Sequence, residues 1–128
     1  MILDTSAIVA VVLEEDGYER MRDALAEFQT SAAGTPTLAE AGIVLTAKLG
    51  FRSRALLVQF IDSTGVISVP FGEEHWREAI SAHARFGKGR HPARLNLGDC
   101  MTYAVAKLAK EPLLTLDRGF AHTDLELV

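Results

Sequence analysis

Short apolar runs alternate along the chain with longer stretches of helical periodicity. The apolar runs predict strands, which we place at Ile2–Leu3, Gln29–Ala33, Val66–Val69 and Leu113–Leu116, with a last edge strand at Leu125–Val128. The periodic stretches predict helices, which we place at Thr5–Leu13, Tyr18–Phe28, Thr35–Leu49, Ser53–Ser63, Glu73–Phe86 and from Asn96 or Leu97 to Lys110. This alternation predicts an α/β fold around a mainly parallel sheet.

Four acidic residues lie in or beside the apolar runs: Asp4, Glu40, Asp99 and Asp117. An isolated buried carboxylate costs several kcal/mol or stays protonated, so a chain that places acids this way is expected to gather them around a cation. Asp4 ends the first strand and Asp117 follows the fourth, and parallel strands bring their carboxyl ends to one rim. Oxygen ligands favour Mg²⁺, which supports hydrolysis of a phosphodiester through an activated water.

Three of these acids also have ordinary structural interpretations. Asp4 suits the N-cap of the helix that follows it, and Asp99 stands three residues after Asn96, where it could form part of a helix cap. Asp117 opens an Asp-Arg-Gly-Phe segment of common turn composition. From these residues alone, capping and metal binding both remain open.

Glu40 has a rival interpretation as well. Thr37 and Glu40 have the spacing of a capping box, but Pro36 suits the first turn of a helix that begins one residue earlier. Glu40 then lies beyond the box and shares a face with Ile43 and Val44, where it would need a buried partner.

Length and composition indicate one domain spanning residues 1–128. Hydrophobic residues make up 48% of the chain, which is enough for a packed core, and no apolar stretch is long enough to cross a membrane. The only cysteine, Cys100, excludes an internal disulfide and a paired-cysteine zinc site, and is expected in the core. With no basic signal-peptide region before Asp4, a reducing cytoplasm is expected.

A basic loop interrupts a chain whose net charge is −4. Residues 83–94 contain no acid, and their cations are candidates for contacts with a phosphate backbone: Arg85, Lys88, Arg90 and Arg94. A solvated surface loop is the alternative. Ser6 and Thr115 carry hydroxyls beside two of the acids and are candidates to support the site.

The four acidic segments together resemble PIN-domain ribonucleases, specifically the VapC toxins of type II toxin–antitoxin systems. The matching segments are Ile-Leu-Asp4-Thr-Ser6-Ala-Ile, Pro-Thr-Leu-Ala-Glu40-Ala, Arg-Leu-Asn-Leu-Gly-Asp99-Cys100 with the basic loop before it, and Leu-Leu-Thr-Leu-Asp117-Arg-Gly-Phe. The fourth segment departs from members with Gly-Asp-Asp-Phe or Gly-Asn-Asp-Phe, because its acid is shifted by one residue. Asp124, further along, would either support the site or serve a cap or turn.

The resemblance implies a three-layer α/β/α sandwich with a short parallel sheet. It implies Mg²⁺ or Mn²⁺ bound chiefly by Asp4 and Asp99, with Glu40 binding metal or orienting water and Asp117 shaping a second metal or water site. It also implies RNA cleavage that inhibits translation and growth, neutralisation by a VapB-type antitoxin, a homodimer, and a toxin–antitoxin hetero-oligomer.

Other function classes fit the residues less well. A non-catalytic module that uses the acids to bind an ion or a partner's arginine remains an alternative. A haloacid-type phosphatase needs a second Asp at position 6, where Ser6 stands, and a receiver domain needs adjacent acids after its first strand.

The early helices carry more apolar side chains than a small sheet obviously needs. These residues would form either a groove for an antitoxin helix or ordinary core: Leu13, Tyr18, Met21, Leu25, Phe28, Leu56, Leu57 and Phe60.

Overall fold

The computed structural model describes residues 1–128 and contains four short strands, all paired in parallel. The strands are β1 (Ile2–Leu3), β2 (Ala32–Gly34), β3 (Ile67–Val69) and β4 (Leu113–Leu114). Their order across the sheet is β3-β2-β1-β4. The predicted parallel sheet is therefore confirmed.

Six helices connect and cover the strands: α1 (Thr5–Leu13), α2 (Tyr18–Glu27), α3 (Thr35–Leu49), α4 (Ser53–Thr64), α5 (Glu73–Phe86) and α6 (Leu97–Ala109). Two short 3₁₀ turns lie at Gly50–Arg52 and Arg118–His122. Pro36 occupies the first turn of α3, as predicted, because its missing N–H has no partner to lose there.

Two hydrophobic cores lie on opposite faces of the sheet, which gives the three-layer α/β/α sandwich that the family resemblance implied. Leu3 and Leu114 pack with apolar side chains of α1–α4, whereas Ile2 and Leu113 pack with those of α5 and α6. This division follows from the strand period of two, since successive side chains point to opposite faces.

Several strand boundaries differ from the prediction, and the smallest differences are the end of β2 at Gly34 instead of Ala33 and the start of β3 at Ile67 instead of Val66. β2 starts at Ala32 instead of Gln29, because Gln29 and Thr30 are exposed and the first sheet hydrogen bond runs from Ala32 N to Met1 O, at 2.9 Å. β4 ends at Leu114 instead of Leu116, because the amides of Leu116 and Asp117 donate to side-chain hydroxyls and not to a neighbouring strand. The expected edge strand at Leu125–Val128 is reduced to a single bridge between Leu113 and Leu127.

The apolar residues of the early helices are mostly core. Met21 and Phe60 are buried, and Leu13, Leu25, Phe28 and Leu57 are partly buried against the same core. The core interpretation therefore accounts for most of that set.

None of the helices combines the length and the apolar character that a membrane crossing requires.

Candidate active site

Asp4 stands where β1 gives way to α1 and is the one acid of the four that is buried, with 4% of its surface exposed. It caps α1, accepting from Ser6 N at 3.4 Å. Three hydroxyls also donate to its carboxylate: Ser6 Oγ at 2.8 Å, Thr115 Oγ1 at 3.0 Å and Thr102 Oγ1 at 3.4 Å. Burial raises the pKa of Asp4, and the hydrogen bonds from Ser6 and Thr115 oppose that rise.

Ser6 and Thr115 join β1 to the end of β4. Their hydroxyl oxygens lie 3.2 Å apart, and each accepts from the chain after β4: Ser6 Oγ from Leu116 N at 3.0 Å, and Thr115 Oγ1 from Asp117 N at 2.9 Å. The two hydroxyls therefore fix Asp117 relative to Asp4.

Asp117 begins the Arg118–His122 turn and has an exposed side chain. Its Oδ1 accepts from Gly119 N at 2.8 Å, an Asx turn of the kind that the Asp-Arg-Gly-Phe composition predicted.

Asp99 lies in the first turn of α6 and takes part in a capping box. The amide of Asp99 donates to Asn96 Oδ1 at 2.9 Å, and the amide of Asn96 donates to Asp99 Oδ2 at 3.0 Å. Burial is the largest of the effects that raise the pKa of Asp99 to about 6; the charges of Asp4, Asp117 and Glu40 add to it, while the Asn96 amide opposes it. Capping and membership of the acidic group therefore coexist in this residue.

Glu40 projects from α3, which begins at Thr35, so the capping box with Thr37 does not form. The expectation that Glu40 needs a buried partner is wrong, because its side chain is exposed toward the cleft. A Cβ at Gly98 would meet the Glu40 carboxylate, so the glycine leaves room for Glu40 beside α6.

All four predicted acids line one cleft of about 460 Å³, which the sequence predicted for Asp4 and Asp117 from strand topology. Asp4 is the only one of the four that is buried; Asp99 is partly buried, and Glu40 and Asp117 face solvent. Glu15 and Asp16, which lie between α1 and α2, also line the cleft.

The cleft has the chemistry of a hard-cation site. It contains six acids and no Lys, Arg or His, and only Glu15 pairs with a cation, at 3.7 Å from Lys48. No three His, Cys, Asp or Glu side chains are arranged to hold one ion among them. An ion here would therefore be held by one or two carboxylates and by water, which is the usual mode for Mg²⁺.

The predicted cations of the basic loop separate into distinct environments. Lys88 and Arg94 line a second cavity, whose wall also includes Asp99 and Asp117. Arg90 is exposed and lines neither cavity. Arg85 lies elsewhere, paired with Asp124 at 3.1 Å.

Asp124 does not line the acidic cleft. It accepts from Tyr103 Oη at 2.6 Å, Lys107 Nζ at 2.7 Å and Arg85 Nη2 at 3.1 Å. Burial by itself would raise the pKa of Asp124, but the hydrogen bonds from these three groups outweigh it and hold the pKa well below its usual range. Its role is to tie the C-terminal segment to α5 and α6.

Sequence reasoning missed Thr102, Arg118 and His122. Thr102 is buried on α6 and also lies 3.1 Å from Thr37 Oγ1; its position three residues after Asp99, on the same helix face, was the available signal. Arg118 and His122 line the second cavity, and their proximity to Asp117 in the chain was the only indication.

Comparison with known proteins agrees with this geometry. The PIN domain family matches residues 1–126. Ribonuclease VapC36 of Mycobacterium tuberculosis is 43% identical over 127 residues, covering 98% of this chain and 91% of that protein. Ribonuclease VapC of Mycolicibacterium smegmatis is 34% identical over 128 residues, covering 100% of this chain and 99% of its own.

Among solved structures, the fold resembles Mycobacterium tuberculosis VapC20, described as a sarcin-ricin loop cleaving toxin, with a TM-score of 0.80 at 17% identity over 99% of this chain and 97% of that one. It also resembles DNA-bound VapBC of Salmonella typhimurium, with a TM-score of 0.78 at 18% identity over 99% and 95% of the two chains. The chain belongs to the PIN-domain family and, within it, to the VapC ribonucleases.

Proposed function

We propose that this chain is the toxin of a type II toxin–antitoxin system and a divalent-metal-dependent endoribonuclease acting in the cytoplasm as a single domain of residues 1–128. The observation that carries the proposal is the convergence of Asp4, Glu40, Asp99 and Asp117 on a cleft without a basic residue. The names of its relatives, which are ribonucleases, supply the reaction class.

The acids have different roles in this proposal. Asp4 and Asp99 hold the ion, since Asp4 is fixed by three hydroxyls and Asp99 by the amide of Asn96. The ion is Mg²⁺ or Mn²⁺, both of which accept carboxylate oxygens. Glu40, which is exposed and forms no side-chain hydrogen bond, orients the attacking water or adds a ligand. Asp117 shapes the remaining edge of the cleft.

A bound divalent ion lowers the pKa of water and offsets the charge that builds up on a phosphodiester during hydrolysis. The chain itself fixes the direction of each carboxylate. Asp99 and Asp117 each accept a backbone amide on one oxygen, and Asp4 accepts the Ser6 amide on Oδ2 and the Thr102 hydroxyl on Oδ1. Burial and the charges of the neighbouring acids raise the pKa of Asp99 to about 6, and a bound cation would stabilise its charged form.

We further propose a VapB-type antitoxin as the partner, a homodimer of this chain, and a toxin–antitoxin hetero-oligomer. The support is the fold shared with chains from complexes described as VapBC of Salmonella typhimurium and of Rickettsia felis. Inhibition of translation and growth, released by the antitoxin, follows from RNA cleavage.

The test is cleavage of total RNA by the purified chain with Mg²⁺, with Mn²⁺ and with EDTA. We expect cleavage with either ion, none with EDTA, and none by Asp99→Asn. A folded Asp99→Asn protein that cleaves at the wild-type rate would contradict the proposed role of Asp99 in cleavage. Antitoxin binding without cleavage under any metal condition would instead favour a non-catalytic module.

A further inference from the structure

A second cavity, of about 430 Å³, adjoins the acidic cleft and shares Asp99 and Asp117 with it. One wall is the basic loop and the other is the Arg118–His122 turn. In contrast to the cleft, this cavity is lined by basic side chains: Lys88, Arg94, Arg118 and His122.

These basic side chains have no internal partner. None of them takes part in the five ion pairs of the chain, whereas Arg85 and Lys107, on α5 and α6, both pair with Asp124. Lys88, Arg94 and Arg118 outnumber the two carboxylates of the lining, those of Asp99 and Asp117, and none of the three is held in an ion pair, so the cavity favours an anion. The side chains and the polar walls fit a phosphate group.

The cavity is built by close packing of its two walls. A Cβ at Gly119 would collide with the backbone oxygen of Ala93, so only glycine lets the turn approach the loop this closely. Phe120 and Leu95 anchor the two walls, since both side chains are fully buried. The cations therefore stand on a preformed surface, which lowers the entropy cost of binding.

We propose that this cavity is a phosphate subsite that binds an RNA phosphodiester next to the one that is cleaved. The proposal rests on the proposed ribonuclease function and assigns Arg118 and His122, in addition to Lys88 and Arg94, to substrate binding. Because Asp99 and Asp117 border both cavities, a strand held in the subsite passes directly into the acidic cleft. The subsite offsets the repulsion between RNA and the six acids.

The test compares two double variants that each remove two charges. Lys88→Gln/Arg118→Gln removes one cation from each wall of the cavity. Arg52→Gln/Arg54→Gln, the matched control, removes two exposed cations that form no ion pair and line neither cavity. Binding of a short labelled single-stranded RNA of mixed sequence is measured by fluorescence anisotropy in EDTA at several salt concentrations, so that binding does not depend on cleavage.

We expect Lys88→Gln/Arg118→Gln to weaken binding severalfold and to reduce the slope of log affinity against log salt by about 1.4, which is about 0.7 for each lost phosphate contact. With Mg²⁺ present, the same variant should raise KM and leave kcat nearly unchanged. The control pair should match wild type in affinity, salt slope, KM and kcat.

Equal affinity, salt slope and KM for the two double variants would overturn the subsite, even if the wild type cleaves RNA. Failure of the ribonuclease function is separately visible, because binding in EDTA would then still distinguish the variants while no metal supports cleavage. A wild-type protein whose binding shows no salt dependence would also overturn the subsite.

Discussion

Asp124 and the four predicted acids of the cleft have opposite surroundings. Asp124 receives hydrogen bonds from Tyr103, Lys107 and Arg85, and its pKa is held well below the usual range. Asp99 faces Asp4, Glu40 and Asp117 and forms no ion pair, and burial together with these charges raises its pKa to about 6. Asp124 is neutralised by side chains of the same chain, whereas Asp4, Glu40, Asp99 and Asp117 form no ion pair and are available to a bound cation.

The difference shows that burial alone does not identify a functional acid. Asp117 and Glu40 are exposed, as is Asp124, yet only the first two line the acidic cleft. What separates them is ion pairing within the chain: Asp124 pairs with Arg85 and Lys107, and Glu40 and Asp117 pair with no cation. We therefore expect substitutions in the cleft to reduce activity without loss of stability, and substitutions at Asp124 to do the reverse.

The largest effect is expected for Asp4→Asn. Cleavage should fall by about two orders of magnitude or more, since a bound ion supplies several kcal/mol of charge stabilisation. The melting temperature at pH 7 should stay close to that of the wild type. Asparagine keeps a side-chain oxygen that can cap α1, and the removal of a buried charge offsets the loss of hydrogen bonds to the second carboxylate oxygen. Single-turnover cleavage and thermal unfolding of the same preparation measure both; lower stability with full activity would contradict the role.

A smaller loss is expected for Thr115→Val, which removes the hydroxyl that donates to Asp4 and accepts from Asp117 N. Cleavage should fall by about tenfold, as for other residues that orient metal ligands. Thr64→Val is the control, since the Thr64 hydroxyl donates only to Phe60 O, at 2.7 Å, outside the site. Equal cleavage by the two variants would remove Thr115 from the supporting set.

Gly98→Ala should separate activity from stability within one helix. The new Cβ would displace the Glu40 carboxylate, so cleavage should fall severalfold, while the helix gains up to about 1 kcal/mol from the better propensity of alanine. Gly42→Ala in α3 is the matched control: its Cβ would make only ordinary contact with Leu57, so stability should rise without loss of cleavage. Equal cleavage by both variants would show that Glu40 placement is unimportant.

The smallest effect, and one confined to stability, is expected for Asp124→Asn. Its side chain is 38% exposed, so solvent screens the ion pairs and the loss at pH 7 should be about 1 kcal/mol. The lowered folded pKa means that this contribution is present above the unfolded pKa of about 4 and disappears as pH falls below it. Denaturant unfolding across pH should show the difference from wild type narrowing in acid, with RNA cleavage unchanged throughout.

Much of the fold could be predicted because local rules and tertiary structure agree. α1, α3 and α5 have the predicted boundaries, and Asp4 and Pro36 mark the starts of α1 and α3 as expected. The strands were less predictable: two or three residues carry little periodicity, and the position of β2 depends on its hydrogen bond with Met1.

The acidic cleft was predictable in membership, since topology placed Asp4 and Asp117 on one rim and the family resemblance linked the others. The burial of its members was not predictable, because Glu40 lies within an apolar run yet projects into solvent. The different environments of the cations in the basic loop could not be predicted from the sequence either. Only the three-dimensional packing shows that Arg85 pairs with Asp124 and that Lys88 and Arg94 line the second cavity.

The central claim is that the uncompensated acids bind a divalent ion, and a calorimetric titration with Mn²⁺ tests it most directly. Wild type and Asp124→Asn should bind Mn²⁺ with equal affinity, whereas Asp4→Asn and Asp99→Asn should bind at least about tenfold more weakly or not at all. Unchanged Mn²⁺ binding by the folded Asp4→Asn and Asp99→Asn proteins would contradict the account.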